Sequence, residues 1–218
     1  MKKVSKILGT LMLVTLSFSC STVKVTDSWN GLETPNIENK NVMVIGRTED
    51  DVARVQFESD IVQSLEQNHV QSLESFKLFP QLKMNQKLED IELKEVKRTL
   101  KKEGVDVVLM TSLKEVQEYE KTINSGTTDY VYTYPVIYRR GYFRGFRGYY
   151  NSIYINSGSV ESITSLGKKY ILETVLYDLT KGEEDQLLSV ITTVIDNPES
   201  LGTTSKDFSK KLVKELVK

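Results

Sequence analysis

The chain has 218 residues, of which 39% are apolar, with 29 basic and 30 acidic side chains. That length suits one domain with a sizeable core, and a net charge of −1 gives no global electrostatic case for nucleic acid. One cysteine excludes an intramolecular disulfide, and one histidine excludes a histidine-rich metal site.

The front of the chain speaks to location. Lys2, Lys3 and Lys6 precede an apolar run from Ile7 to Phe18, and Ser19–Cys20 closes it. A basic start, an apolar stretch of ~7–15 residues and a small residue at its end mark a secretory signal, whereas a spanning helix needs about 20 apolar residues. Residues 1–19 are therefore read as a signal peptide whose product begins at Cys20. The small residue before a lone cysteine resembles a bacterial lipobox, with the usual Leu one place further off, at Leu16. The resemblance implies a diacylglyceryl group on Cys20 and a further, palmitate-class acyl chain on its new amino group. Each buried acyl methylene contributes about 0.8 kcal/mol and a single chain holds only marginally, so two or three chains anchor a protein that has no spanning helix. Without the three signal lysines, 26 basic residues face 30 acidic ones, which leaves the mature part at −4.

Residues 20–40 read as the lipidated N-terminus and a tether, with a short extended piece near Val23–Trp29 and the lone Trp29 packing a domain edge. Asn41–Gly46 is a β-branched apolar run, a buried-strand signal. Thr48-Glu-Asp-Asp51 then opens a helix in which Phe57, Ile61, Val62 and Leu65 share a face, with Asn68 expected to end it in the left-handed conformation. Val70–Phe79 reads as a second strand, stopped by Pro80. Lys87–Glu103 is a second helix with Leu93, Val96 and Leu100 in phase and Gly104 at its cap. Val105–Leu113 is the strongest strand, and Lys114–Thr122 continues extended.

The composition then changes. Eight of the eleven tyrosines fall between Asp129 and Ile155, interleaved with Arg139, Arg140, Arg144 and Arg147 and with no acid before Glu161. This long Tyr/Arg-rich insertion covers about 123–167. Beyond it, Lys169–Asp178 and Leu187–Ile195 read as a hairpin. A final helix repeats Phe208, Leu212 and Leu216, with Lys210, Lys211, Lys214 and Lys218 toward its C-terminus, where the helix dipole favours them. The expected fold is α/β (or α+β), a single domain over 41–218. It has a mixed sheet of about five or six strands and three amphipathic helices.

The order of these pieces resembles a family of bacterial periplasmic envelope lipoproteins built on a domain of unknown function. Ser28-Trp29, Val42–Gly46, Phe57-Glu58, Leu78-Phe79-Pro80, Gly104-Val-Asp-Val-Val-Leu109 and Leu176-Tyr177-Asp178 carry the resemblance, over most of residues 26–217. It implies an α/β domain similar to envelope helper lipoproteins that bind other proteins, and it brings no activity with it. Ser21 directly after Cys20 resembles patterns that sort lipoproteins to the outer membrane, facing the periplasm.

Catalytic candidates are few. His69 lies at a helix end, where a turn residue explains it. Asp50-Asp51, Glu89-Asp90 and Glu183-Glu184-Asp185 fit helix starts and a turn, where the dipole and solvation favour carboxylates. No glycine-rich phosphate loop is present. Neither a catalytic set, a metal site nor a cofactor is expected. The unusual feature is Tyr138–Tyr150. There Arg139, Arg140, Arg144 and Arg147 offer planar donors for carboxylate or phosphate, and Tyr142, Tyr149 and Tyr150 offer stacking faces. In an exported protein these point to an anionic envelope component or an acidic protein surface, not to nucleic acid. The leading expectation is a non-enzymatic binding or assembly module. A carrier or sensor of an anionic or glycan ligand comes next, and an enzyme of envelope polymers last.

Overall fold

Val42-Met-Val-Ile-Gly-Arg47 shows no polar alternation, and every one of its residues is buried. Such a run belongs at the centre of a sheet covered on both faces. The computed structural model describes residues 22–31, 35–80, 90–119 and 167–218, with the backbone alone for 90–93. It contains six strands: β1 (Val23–Asn30), β2 (Val42–Arg47), β3 (Ser72–Glu74), β4 (Val107–Tyr119), β5 (Gly167–Asp178) and β6 (Leu187–Asp196). They form one sheet in the order β1-β6-β5-β4-β2-β3. The pairs β3–β2 and β2–β4 are parallel, and β4–β5, β5–β6 and β6–β1 are antiparallel. The mixed α+β sheet of the expected size is thus observed.

Among the described residues four helices accompany it: α1 (Asp51–Gln67), α2 (Ser75–Leu78), α3 (Asp90–Lys102) and α4 (Leu201–Leu216). The strand alternation divides the core in two. Val42, Val44, Val107, Leu109, Leu172 and Leu176 face Ile61 and Leu65 of α1 and Phe208 and Leu212 of α4. Met43, Ile45, Val108, Met110, Val175 and Tyr177 face the opposite way, toward Leu100 and Val96 of α3 and toward Leu78 and Phe79. Both faces of the central strands are therefore covered, which is why their sequence lacks polar alternation. Phe57 and Phe208 join α1 to α4 edge to face, with ring centroids 5.4 Å apart.

Side chains cap two of the helix starts. Asp50 caps α1 by accepting from the backbone N–H groups of Val52 and Ala53, and Ser200 caps α4 by accepting from Thr203. Gly104 follows α3 at φ +65°, the expected left-handed cap.

Four readings shift. The segment given to the tether holds β1, which pairs with β6 from Val23↔Ile195 to Asn30↔Ser189 and so belongs to the sheet. The left-handed residue after α1 is His69 at φ 62°, not Asn68, whose side-chain amide instead donates to the Ser64 carbonyl. The strand expected over Val70–Phe79 is only Ser72–Glu74. The chain then turns into α2, because the buried Glu58 carboxylate takes the Ser75 hydroxyl and the Phe76 N–H. Lastly, the extended tail after Leu113 is part of β4, with a bulge that leaves Lys114 between Leu113↔Leu172 and Glu115↔Ile171. The Tyr/Arg-rich candidates Arg139, Arg140, Tyr142, Arg144, Arg147, Tyr149 and Tyr150, and Cys20, lie outside the described residues.

Candidate functional site

Strands β4 and β5 overhang their neighbour. The last β2 pair is Arg47↔Ser112, yet β4 runs on to Tyr119 against Gly167. At this end α1 begins just after β2 and α4 just after β6, so the two helices flank a strip of exposed sheet. A cleft of about 400 Å³ opens there. This is within the range of ~300–1,000 Å³ common for small-molecule sites.

Its floor is set by alternation. Thr111 and Leu113 of β4, Tyr170 and Leu172 of β5 and Ile195 of β6 all point to the α1/α4 side. The floor residue Thr111 is satisfied by its cross-strand neighbour, Oγ1 to Thr174 Oγ1 at 2.9 Å. Ala53 and Phe57 form the α1 wall, and Leu201 and Thr204 the α4 wall. Thr204 is buried, and its Oγ1 has no hydrogen-bond partner. Arg47, Thr48, Asp50 and Ser200 stand among the residues around this mainly aliphatic and aromatic surface.

Asp50, Arg54 and Glu58 beside the cleft have structural work. Asp50 Oδ1 is occupied by two helix N–H groups at 2.9 and 3.0 Å. Arg54, 4% exposed, sends Nε to Glu58 Oε1 at 3.1 Å and Nη2 to Ser75 Oγ at 3.0 Å. Glu58, 0% exposed, also accepts from Gly46 N at 2.9 Å, Ser75 Oγ at 2.7 Å and Phe76 N at 2.9 Å. Its carboxylate therefore ties the end of β2, the body of α1 and the start of α2 together. A buried carboxylate is tolerated only when paired and hydrogen-bonded, and here it is both.

Two groups with shifted titration sit at the far end of the sheet. Burial, with Glu173 adding, holds the Tyr177 hydroxyl well above the usual tyrosine range. For Asp178 burial pushes upward. The hydroxyl and N–H of Thr180 together with Lys40 outweigh it and hold the carboxyl below its ordinary value. His69 is an exposed turn residue, and Glu183-Glu184-Asp185 lie exposed in the β5–β6 connection. Neither is brought to the cleft. Among the described residues there is no cluster of three or more metal-ligating side chains, and no helix is long and apolar enough to cross a membrane.

Sequence reasoning missed the cleft and the Glu58 clamp. The clamp did leave a signal. Arg54 and Glu58 lie at i−7 and i−3 from Ile61, in phase with the apolar stripe, where a charged pair must be buried and mutually satisfied. The cleft left none, because it depends on how far β4 overhangs β2.

No family model matches the chain, and no curated protein matches it. Among solved structures, the PelC dodecamer from Paraburkholderia phytofirmans superposes with a TM-score of 0.45 at 12% identity, over 89% of this chain and 96% of that one. A point variant of the same PelC dodecamer in another crystal form gives 0.43, at the same identity and coverage. A likeness this loose carries no residue and no role to this chain.

Proposed function

We propose that the chain is a lipoprotein of the bacterial envelope, anchored through Cys20 on the periplasmic face of the outer membrane, where it acts as a non-enzymatic binding module. One observation carries the binding reading. The domain keeps a preformed apolar cleft whose neighbouring carboxylates, Asp50 and Glu58, are consumed by a helix cap and a buried clamp. Such a surface suits binding, because general acid–base chemistry needs a titratable group within reach of the ligand. The anchored reading is supported by the apolar run ending at Cys20 and by the start of β1 at Val23, close behind it.

The Tyr/Arg-rich insertion lies in sequence between Tyr119, where β4 ends, and Gly167, where β5 begins, and these two residues pair at the cleft end. Its arginines suit an anionic envelope component or an acidic surface on a partner protein. Crosslinking in intact cells followed by pull-down of the tagged chain tests this reading. Wild type should retain envelope partners that a chain lacking residues 139–148 loses. An identical partner set and envelope phenotype for the two would overturn it.

A further inference from the structure

The sheet register says which end of the domain lies nearest the anchor. Val23, the first residue of β1, pairs with Ile195, and Ile195 is part of the cleft floor. Only three residue steps separate Cys20 from Val23, and an extended chain covers ~3.3–3.6 Å per step, about 10 Å in all. A lipid on Cys20 therefore holds the cleft end of the sheet close to the bilayer. Apolar side chains are exposed at this same end: Leu201 at 38%, Val52 at 70% on the first turn of α1, and Val116 at 45% on the β4 overhang. Unsatisfied apolar surface facing a bilayer is stabilised by contact with acyl chains.

We propose that the cleft receives one acyl chain of a bilayer phospholipid, drawn from the membrane on which the domain stands. This rests on the anchored reading above. The chain would lie over Leu113, Leu172 and Ile195 and pass Leu201 at the mouth. Thr111 and Thr174 satisfy each other, so that pair offers it no polar competition, while the Thr204 hydroxyl on the α4 wall has no hydrogen-bond partner. Within a homologous series of single-chain lipids, each added methylene should strengthen binding about fourfold until the cleft is full.

The test uses purified mature protein reconstituted into phospholipid vesicles that contain a phospholipid with a photoactivatable group in its acyl chain. After illumination, labelled peptides should carry Leu113, Tyr170, Leu172 or Leu201. Ala53→Trp, which fills the cleft from the first turn of α1, should lower that labelling at least tenfold. Leu201→Asp, which leaves the cleft empty but charges its mouth, should lower it as well. Circular dichroism and the melting temperature establish that both variants are folded. Labelling confined to other residues, or equal labelling in folded Ala53→Trp, overturns the assignment. Labelling of the cleft in Cys20→Ser protein but not in wild type shows that the protein's own lipid fills it, and overturns the bilayer source. Wild type that does not associate with vesicles at all contradicts the anchored reading instead, so the two failures are distinct.

Discussion

Glu58→Ala removes a side chain that joins three elements. In the folded protein its two oxygens accept four hydrogen bonds, from Gly46 N, Arg54 Nε, Ser75 Oγ and Phe76 N. Removing one partner of a buried ion pair leaves the other charge uncompensated, and typically costs about 3–5 kcal/mol. Here Arg54 keeps its bonds to Ser75 Oγ and the Phe79 carbonyl, while the N–H groups of Gly46 and Phe76 lose their acceptor. The expected loss is therefore within that range, measured as the change in unfolding free energy in urea at constant m-value. Arg54→Leu combined with Glu58→Leu should cost less than the sum of the single changes, by about 1–3 kcal/mol, because no charge is then left buried. A Glu58→Ala loss below about 1 kcal/mol would show that water reaches the carboxylate and would refute the clamp.

Three further outcomes follow from individual contacts. A methyl group at Gly167 would lie 2.5 Å from the Tyr119 ring. Gly167→Ala should therefore cost about 1–3 kcal/mol by overpacking, and Tyr119→Ala in the same chain should relieve much of it, read as melting temperature. Ser200→Ala removes the cap that accepts from Thr203 N and should cost about 1 kcal/mol in a denaturant titration. Asp178 has a folded value below its unfolded value of about 3.9, so its stabilisation is full above that pH and disappears as pH falls through the folded value. Asp178→Asn should therefore differ from wild type by a constant amount above about pH 5, and the gap should narrow below pH 4.

Legibility followed the kind of interaction that decides each element. α1, α3 and α4 are legible because burial of one face imposes a period, and the central strands because burial of both faces gives a continuous apolar run; Asp50 and Gly104 mark two helix ends. The sequence of β1 shows an extended piece but not its place in the sheet. Its burial is patchy, with only Val23 fully buried, because it is an edge strand with one paired side. The end of β3 is not legible, because Leu78 and Phe79 look like strand residues while a tertiary partner far away in sequence, Glu58, decides that Ser75 starts a helical turn. The cleft was invisible for a related reason. It arises from the stagger of β2 against β4 and the placing of two helix starts, neither of which is written in any local pattern.

The anchored-module account stands most directly on Cys20. Membrane and soluble fractions of cells making wild type or Cys20→Ser should be compared by immunoblot, after a high-salt wash to remove electrostatic adhesion. The account predicts wild type in the membrane fraction and Cys20→Ser released from it. Equal retention of the two in washed membranes would contradict it.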